Sequence, residues 1–286
     1  MDWKESLNNM RIEKKFDPNK WVNEKCRKFN SYLKENDING AILSVSGGID
    51  SAVTLALLKY TMEMENSNLK QICAISQPIN SSDWAFNRAK ELCNKFGIKL
   101  ITIDQTDIHE LITKKVENEL NYKSNVFSKG QLKSYMRTPI NYYIAQTLNE
   151  QDSKNIVIGT GNKDEDGYLG YFCKYGDGAV DLQLINDLHK SEVFKVGEFL
   201  KIPESILNAP PSADLWEGQE DEIELGLSYD FIEFYTAYYL KLDNNDKIKF
   251  ISNLKSESKN EFNNFKIKCD DIHNRNKHKF NGVINL

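Results

Sequence analysis

The chain has 286 residues, of which 40% are hydrophobic and 28% charged, the balance of a globular protein with a substantial core. Its 37 basic and 42 acidic residues leave a net charge of −5, which offers no general attraction to nucleic acid. Five cysteines without a CxxC pair argue against a zinc site and predict free thiols in a reducing compartment. Since the sequence shows neither a signal-peptide core nor a run of about 20 apolar residues, we expect a cytoplasmic protein without a membrane span.

Residues 1–40 have the pattern of amphipathic helices, because apolar residues from Trp21 to Leu33 recur at helical spacing between charged ones. Asn39-Gly40 ends this segment before the first strand. We expect the segment to pack against the rest of the protein and to carry no chemistry.

Residues 41–59 combine a buried strand, a glycine turn and the start of a helix. The apolar run 41–45 predicts the strand, and Asp50 and Ser51 are predicted to cap the helix. The adjacent glycines Gly47-Gly48 let the backbone turn and approach a ligand closely. Because free N–H groups at a helix start favour an anion, the stretch predicts a phosphate-binding loop. In the alternative interpretation, the glycines only close a tight turn.

Asp50 is unusual in such a loop, because a carboxylate repels phosphates unless a cation lies between them. We therefore predict that Asp50 binds Mg²⁺. Ser46 and Ser51 add hydroxyl donors for phosphate. The loop is not a Walker A motif, since no Gly-Lys-Ser/Thr follows the glycines.

Strands and helices alternate along the following residues. Gln71–Ser76, Leu100–Ile103 and Asn155–Gly159 predict further buried strands, with helices between them. This alternation predicts a Rossmann-like α/β fold, a doubly wound parallel sheet with helices on both faces. Ligands bind at the carboxyl ends of the strands in such sheets. Ile75-Ser76-Gln77-Pro78 lies at one of these ends, where its backbone either meets an adenine or simply leaves the sheet.

Residues 121–130 are polar and predict a loop. Residues 131–149 have a helical pattern, but Pro139 predicts a kink or a helix start near Thr138. Arg137 precedes this point and has the pattern of a solvated helix residue.

Residues 159–181 contain six glycines and many acidic residues, which predict a long, shaped loop after a strand. Thr160 is placed at the strand end, and Glu165 is a second candidate Mg²⁺ ligand. Lys174 and Asp181 flank a KYGDG turn. Taken singly, these charged residues have the pattern of solvated loop positions; beside a phosphate loop at the same sheet edge, they predict a site.

The last hundred residues are less informative. Lys190 precedes a short helix predicted over Ser191–Leu200, a position that disfavours a cation and hints at a bound phosphate. The acidic run 217–224 has the pattern of a solvated face, and the aromatic stretch 228–240 that of core. Residues 243–286 are polar with a weak helical pattern, and we expect 1–286 to form a single domain.

Four stretches carry a resemblance to a known family. They are SGGIDSA, GTGNKDE, GYFCKYGDG and PPSADLWEGQEDEIELGLSYD. The first resembles the SGGxDS loop of N-type ATP-pyrophosphatases, which have an adenine nucleotide alpha hydrolase-like fold. Together, the four resemble NAD synthetase of the ammonia-dependent type, over residues 20–280.

The resemblance implies that ATP and Mg²⁺ act with deamido-NAD and ammonia, and that the protein is a homodimer with deamido-NAD bound across its interface. It assigns catalytic roles to Asp50, Lys190 and Glu165, the first and last as Mg²⁺ ligands. It implies that ATP contacts Ser44, Val45, Ser46, Gly47, Gly48, Ile49, Asp50, Ser51, Thr160, Lys190 and Ser212. It implies that deamido-NAD contacts Arg137, Lys174, Asp181, His278 and Lys279.

Two positions depart from the pattern of the family. Tyr135 stands two residues before Arg137 where the family often has an arginine, and Phe280 follows Lys279 where an arginine is usual. Both changes fall on the dinucleotide side, so the acceptor is less well specified than the adenylylation chemistry. The alternatives are another ATP-pyrophosphatase that adenylylates a different carboxylate, or an inactive nucleotide-binding module.

The resemblance implies that the nicotinate carboxylate of deamido-NAD attacks the α-phosphorus of ATP, and that ammonia then displaces AMP from the adenylate. The amidase domain of glutamine-dependent forms does not fit in the 40 residues before the first strand, so we expect ammonia to be the direct nitrogen donor. A separate glutaminase partner stays possible.

Overall fold

A computed structural model of the chain describes residues 1–151, 153–216 and 218–285. Its five strands form one parallel sheet in the order β3-β2-β1-β4-β5. The strands are β1 Gly40–Ser44, β2 Gln71–Ser76, β3 Leu100–Thr102, β4 Asn155–Gly159 and β5 Leu182–Gln183.

Twelve α-helices are found in the described ranges. They are α1 Trp3–Lys14, α2 Pro18–Glu35, α3 Ile49–Glu63, α4 Asp83–Lys95, α5 Thr106–Leu120, α6 Val126–Asn149, α7 Lys190–Phe199, α8 Glu204–Leu207, α9 Asp221–Leu225, α10 Tyr229–Ala237, α11 Asn244–Asn253 and α12 Ser256–Asn276. A π-helix, Lys163–Leu169, and two 3₁₀ turns, Tyr239–Lys241 and Lys277–Phe280, complete the regular structure.

Helices cover both faces of the sheet, because successive side chains of a strand point to opposite sides. In β1, Ala41 and Leu43 pack into a cluster with α2, α3, α4 and α7, whereas Ile42 packs with Val157 and with Ala145 of α6. This arrangement confirms the predicted doubly wound parallel sheet. None of the helices in the described part of the chain is long and apolar enough to cross a membrane.

A third cluster lies outside the sheet and is rich in aromatic side chains. It joins α1, α10, α11 and α12, with Phe231, Phe234 and Phe262 fully buried. The prediction that residues 228–240 are core is therefore confirmed, as are the helices predicted within 1–40 and 243–286. The division of the chain into a single domain stays a prediction.

Helix α6 differs from both predictions made for it. It begins at Val126 rather than near residue 131, because the Asn125 side chain caps it by accepting a hydrogen bond from the Ser128 N–H at 2.8 Å. It also continues through Pro139, where the missing N–H removes only one helical hydrogen bond. Thr138 anchors this part of the helix by donating to the Gly176 carbonyl at 2.7 Å.

Two loop predictions need correction as well. Residues 159–181 are not wholly irregular, since they contain the π-helix, which begins at Lys163. The run 217–224 is a solvated face, as predicted, at Glu220, Glu222 and Glu224, but Asp221 opens α9 and is only 5% exposed. Glu217 lies outside the described residues.

Candidate active site

The turn between β1 and α3 has the geometry of an anion-binding loop. Helix α3 begins at Ile49 with Gly48 as its N-cap, and no side chain caps it. The predicted caps, Asp50 and Ser51, are therefore wrong; the Ser51 hydroxyl instead donates to the Gly48 carbonyl at 3.0 Å. Residues of this first turn line the cavity described below, and their uncapped N–H groups can bind phosphate.

Gly47 is required for close packing beneath this loop. It has a φ of +84°, and a Cβ at this position would collide with the Ala85 carbonyl oxygen in the first turn of α4. Helix α4 is thereby pressed against the phosphate loop. The interpretation of Gly47-Gly48 as a mere turn misses this contact, which brings a second helix start to the same place.

Lys190 lies at the centre of a buried charge cluster. Its Nζ donates to Asp50 Oδ2 at 2.6 Å and to Glu165 Oε1 at 2.8 Å, and the residue is 3% exposed. The Tyr229 hydroxyl donates to the same Glu165 oxygen at 2.6 Å, and the Tyr229 ring lies 4.8 Å from Nζ. These contacts join α3, the π-helix, α7 and α10, so three residues predicted to be catalytic meet at one point.

Burial and charge act in opposite directions in this cluster. Burial alone would lower the pKa of Lys190, but the two carboxylates raise it well above its ordinary value. Burial raises the pKa of Asp50. Burial also disfavours the Glu165 carboxylate, but the Lys190 charge and its hydrogen bonds outweigh this and lower the pKa of Glu165. The two carboxylates, rather than a phosphate, therefore offset the unfavourable place of Lys190 at a helix start.

The π-helix places Glu165 through one side chain, that of Asn162. Its Oδ1 accepts from the backbone N–H groups of Asp164 and Glu165 at 3.0 and 3.1 Å, while its Nδ2 donates to Asp50 Oδ1 at 3.0 Å. Asp164 in turn accepts from the Lys190 N–H at 2.7 Å. Hydrogen bonds thus connect the π-helix to the phosphate loop through Asn162 and to the start of α7 through Asp164.

A cavity of about 550 Å³ opens above this cluster. The loop Ser46–Ser51, together with Glu165 and Lys190, forms what we call the phosphate side of the cavity. Thr160 and Ser212 also line the cavity, and Ser212 Oγ accepts from the Asp214 N–H at 3.1 Å. Ser44, Val45 and Gly47 do not line it: Ser44 Oγ instead donates to Asn141 Oδ1 at 3.0 Å, and Val45 is buried under the loop.

We call the five residues predicted to bind deamido-NAD the acceptor side. The structure divides them into two that line the cavity and three that do not. Arg137 and Lys279 line the cavity. Burial lowers the pKa of Arg137, and its Nε donates to the Gln77 carbonyl at 3.4 Å. Lys279 Nζ donates to the carbonyls of Gly170 and Phe172 at 2.9 and 2.7 Å.

The other three acceptor-side residues make contacts away from the cavity. Lys174 Nζ donates to the Gly282 carbonyl at 2.8 Å, and His278 Nδ1 lies 3.0 Å from the Arg275 carbonyl. Asp181 accepts from the Val157 N–H at 2.9 Å and from the Tyr142 hydroxyl at 3.0 Å, which is a structural arrangement beside β4. In this structure these three side chains therefore have protein partners where ligand contacts were predicted.

Comparison with known proteins identifies the family. The NAD synthase family profile matches residues 21–281. The NH(3)-dependent NAD(+) synthetase of Syntrophomonas wolfei is 38% identical over 72% of this chain and 78% of its own length. That of Mesoplasma florum is 33% identical over 88% of this chain and 90% of its own. The chain belongs to the NAD synthase family. Its activity is ammonia-dependent NAD synthesis, a ligation that forms a carbon–nitrogen bond and uses ATP as co-substrate.

Solved structures agree with this assignment. The NMN synthetase of Francisella tularensis has a TM-score of 0.77 and 28% identity, and the match covers 95% of this chain and 99% of that one. The NH3-dependent NAD synthetase of Campylobacter jejuni has a TM-score of 0.68 and covers 95% of this chain and all of that one, but its 23% identity supports the fold alone. The predicted family, fold and activity are therefore confirmed.

Sequence reasoning missed part of this candidate site. Asp221 lines the cavity, and its Oδ1 is buried without a hydrogen-bond partner in the described residues. Burial and the Glu165 charge raise the pKa of Asp221 to about 7. Asp221 and Tyr229 belong to the DEIELGLSYD stretch that supported the resemblance, but nothing in its pattern told Asp221 from the solvated acids around it.

The carboxylates of the phosphate side are oxygen donors of the kind that Mg²⁺ prefers. Asp50 and Glu165 lie within reach of one another, since both contact Lys190 Nζ. Within the described ranges, however, no three acidic, histidine or cysteine side chains are arranged to hold a metal ion by themselves. A Mg²⁺ ion here would need ligands from phosphate or water as well.

Proposed function

We propose that this cavity amidates deamido-NAD with ammonia through an adenylate, releasing AMP and pyrophosphate. The observation that carries the proposal is the position of the Lys190 ammonium, shared by Asp50 and Glu165 beside the uncapped start of α3. The uncapped N–H groups can bind an ATP polyphosphate, and the ammonium holds the two carboxylates, which leave the cluster net negative, in place for a metal ion.

The roles of the residues follow from this geometry. The N–H groups of the phosphate loop bind the β- and γ-phosphates, and Arg137 and Lys279 hold the acceptor with its carboxylate toward the α-phosphorus. That carboxylate forms a bond to the α-phosphorus as pyrophosphate leaves with the electron pair. Ammonia then attacks the adenylate carbonyl, AMP departs with the electron pair of the broken C–O bond, and the proton that the nitrogen loses passes to solvent. Since adenylylation supplies the leaving group, no protein nucleophile is needed, and positioning and charge stabilisation perform the catalysis.

The donor set fits Mg²⁺, which Asp50 and Glu165 would hold together with oxygens of ATP. When bound, the ion supplies charge neutralisation between these carboxylates and the phosphates. Asp50→Asn removes one ligand with little change in volume, and we expect it to abolish turnover while the far-ultraviolet circular dichroism stays the same. Normal turnover in this variant would remove the metal assignment.

The test of the function is pyrophosphate release from ATP and Mg²⁺ in the presence of ammonium. We expect release only when deamido-NAD is added, with NAD formed in equal amount. Release of pyrophosphate with no acceptor, or none with deamido-NAD, would contradict the proposal. Replacing ammonium with glutamine tests the nitrogen donor, and efficient use of glutamine by the purified protein would overturn ammonia as the direct donor.

Nicotinate mononucleotide is a second candidate acceptor. The Francisella structure is described as an NMN synthetase, and it matches this chain over nearly the whole length of both. The departure at Phe280 lies on the acceptor side, where its ring meets Phe172 edge-on with centroids 6.3 Å apart. An aromatic pair here replaces a cation that could bind the second phosphate of a dinucleotide.

The two acceptors are separated by kcat/KM measured side by side with saturating ATP and ammonium. A higher kcat/KM for deamido-NAD supports the dinucleotide, and a value at least tenfold higher for nicotinate mononucleotide supports the second candidate. Phe280→Arg restores the usual residue of the family. We expect it to improve use of deamido-NAD relative to the mononucleotide, whereas Val283→Arg, three residues further on and 77% exposed, serves as control.

We also propose that the protein is a homodimer in the cytoplasm. Five buried free cysteines support a reducing compartment. Helices α5 and α6, with the turn between them, carry apolar or aromatic side chains that are at least half exposed. These are Ile108, Leu111, Val116, Leu120, Tyr122, Val126, Phe127 and Tyr143. Phe127 also lines the cavity, and Arg137 lies on the same helix, so this surface is continuous with the acceptor side.

Sedimentation equilibrium tests the dimer. We expect the native protein to sediment at twice the monomer mass and Leu120→Lys to shift it toward the monomer. Ile248→Lys, on α11 and equally exposed, should leave the mass unchanged. A native monomer at micromolar concentration would overturn the dimer.

A further inference from the structure

One cation beside the phosphate loop, Arg88, has no carboxylate partner among the described residues. The Arg88 guanidinium carbon lies 4.1 Å from the centroid of the Trp84 ring, one helical turn earlier on α4. Both side chains line the cavity, and Trp84 is 44% exposed. In the described part of the chain, no carboxylate oxygen lies within 4.0 Å of the Arg88 nitrogens. Lys190 Nζ, by contrast, forms ion pairs with two carboxylates.

Helix α4 brings this pair to the phosphate loop. The atoms nearest to a Cβ at Gly47 would be the Ala85 carbonyl oxygen and, at 3.3 Å, the Ala89 N–H nitrogen. Trp84 immediately precedes Ala85, and Arg88 immediately precedes Ala89. Since residues four apart share one face of a helix, Trp84 and Arg88 form a strip directly beside the line of contact with the loop.

The resting contact of Arg88 is weak and easily exchanged. A guanidinium on an exposed aromatic face gains little, and an anion competes for it effectively. Its planar fork matches two phosphate oxygens at once, which a lysine ammonium does not. The negative charge of Asp214 on the facing loop acts on Arg88, but this carboxylate also accepts from the Ser82 N–H at 3.1 Å and so is engaged at the start of α4.

We infer that Arg88 binds the β- and γ-phosphates of ATP and stabilises the leaving pyrophosphate, and that Trp84 holds the guanidinium ready when the site is empty. The inference rests on the proposed cleavage of ATP at the α-phosphorus. In that step the bond from the α-phosphorus to the bridging oxygen breaks, and its electron pair leaves with pyrophosphate. Arg88 transfers no proton; it neutralises charge that grows on the departing oxygens.

The experiment compares Arg88→Gln and Arg88→Lys with the native enzyme, with Arg27→Gln on the exposed surface of α2 as control. We expect Arg88→Gln to lower kcat at least tenfold and to weaken product inhibition by inorganic pyrophosphate at least tenfold, with the KM of the acceptor unchanged. Arg88→Lys should recover part of both effects, and Arg27→Gln should show neither. Native-like inhibition of Arg88→Gln by pyrophosphate would overturn the inference.

Direct binding separates this inference from the proposed function. Titration with Mg²⁺ and inorganic pyrophosphate, followed by calorimetry and by tryptophan fluorescence, needs no turnover. We expect binding to weaken at least tenfold in Arg88→Gln, and the fluorescence change to be lost in both Arg88→Gln and Trp84→Phe. If the native enzyme binds pyrophosphate in this way but releases none from ATP, the proposed function fails while the site stands. A fluorescence change that persists in Arg88→Gln would count against the site.

Discussion

The phosphate side and the acceptor side of the cavity are built in different ways. On the phosphate side, Asp50, Glu165 and Lys190 come from three elements and already contact one another. On the acceptor side, Lys279, which lines the cavity, and Lys174, which lies away from it, donate to backbone carbonyls. The first arrangement is held by charges that bind each other, and the second by hydrogen bonds that a ligand must replace. Under the proposed function, the ATP site is therefore organised in advance, whereas acceptor binding requires side chains to change partners.

Lys190→Met should break the phosphate side. We expect at least about a hundredfold loss of kcat, because the variant removes charge beside the leaving pyrophosphate. It should also lower the free energy of unfolding by roughly 3–5 kcal/mol, because two buried carboxylates lose their partner. Steady-state kinetics and urea unfolding measure both effects. Lys195→Met, on the exposed face of the same helix, is the matched control; an active and stable Lys190→Met would show that this side is not held by charge.

Asp221→Asn should remove a negative charge from the phosphate side. The folded-state pKa of Asp221, about 7, lies above its ordinary value of 3.8, so the folded protein binds a proton that the unfolded chain does not. The stability that this group contributes is present at low pH and is lost as the pH rises from about 3.8 to about 7. We expect the variant to be more stable than the native protein at pH 8 by about 1–3 kcal/mol and equal to it near pH 4. Thermal unfolding across pH checks this; a difference independent of pH would contradict it.

Lys279→Ala should affect only the acceptor side. We expect the KM of the acceptor to rise roughly tenfold, the effect of losing one charge-assisted hydrogen bond, with the KM of ATP unchanged. Lys277→Ala removes an exposed lysine of the same 3₁₀ turn and serves as control. An equal rise in the KM of ATP would mean that the two sides are not independent.

Asp181→Asn should have the smallest effect. If its contacts with the Val157 N–H and Tyr142 persist during turnover, the variant loses about 1 kcal/mol of stability and keeps the native KM for the acceptor. Tyr142→Phe should show a similar change in melting temperature. A rise in the KM of the acceptor only in Asp181→Asn would show that this carboxylate leaves β4 to bind the ligand.

The same contrast explains what the sequence could predict. Strand, turn and helix signals in residues 41–59 are local, so the phosphate loop was recognised with its position in the sheet. The capping by Gly48 rather than Asp50 was missed, because an acidic residue just inside a helix has the same pattern as a cap. Asp221 was misjudged for another reason: its burial depends on Tyr229 and on a cavity wall from distant parts of the chain. Acceptor contacts came from resemblance alone, and no local pattern tests them.

Helix α1 connects the first residues of the chain to the last helices. Trp3 meets Phe231 edge-on with ring centroids 5.2 Å apart, and its indole N–H donates to Glu261 at 2.8 Å. Arg11 forms an ion pair with Glu233. Glu233 also accepts a hydrogen bond from Ser191, the residue after Lys190. The contacts of Trp3 with Glu261 and of Arg11 with Glu233 join residues 258 and 222 positions apart, so forming them costs loop-closure entropy. During translation, the apolar face of α1 has no partner until α10 and α12 have been synthesised. The nascent chain therefore exposes this helix to chaperones or to other chains during most of its synthesis.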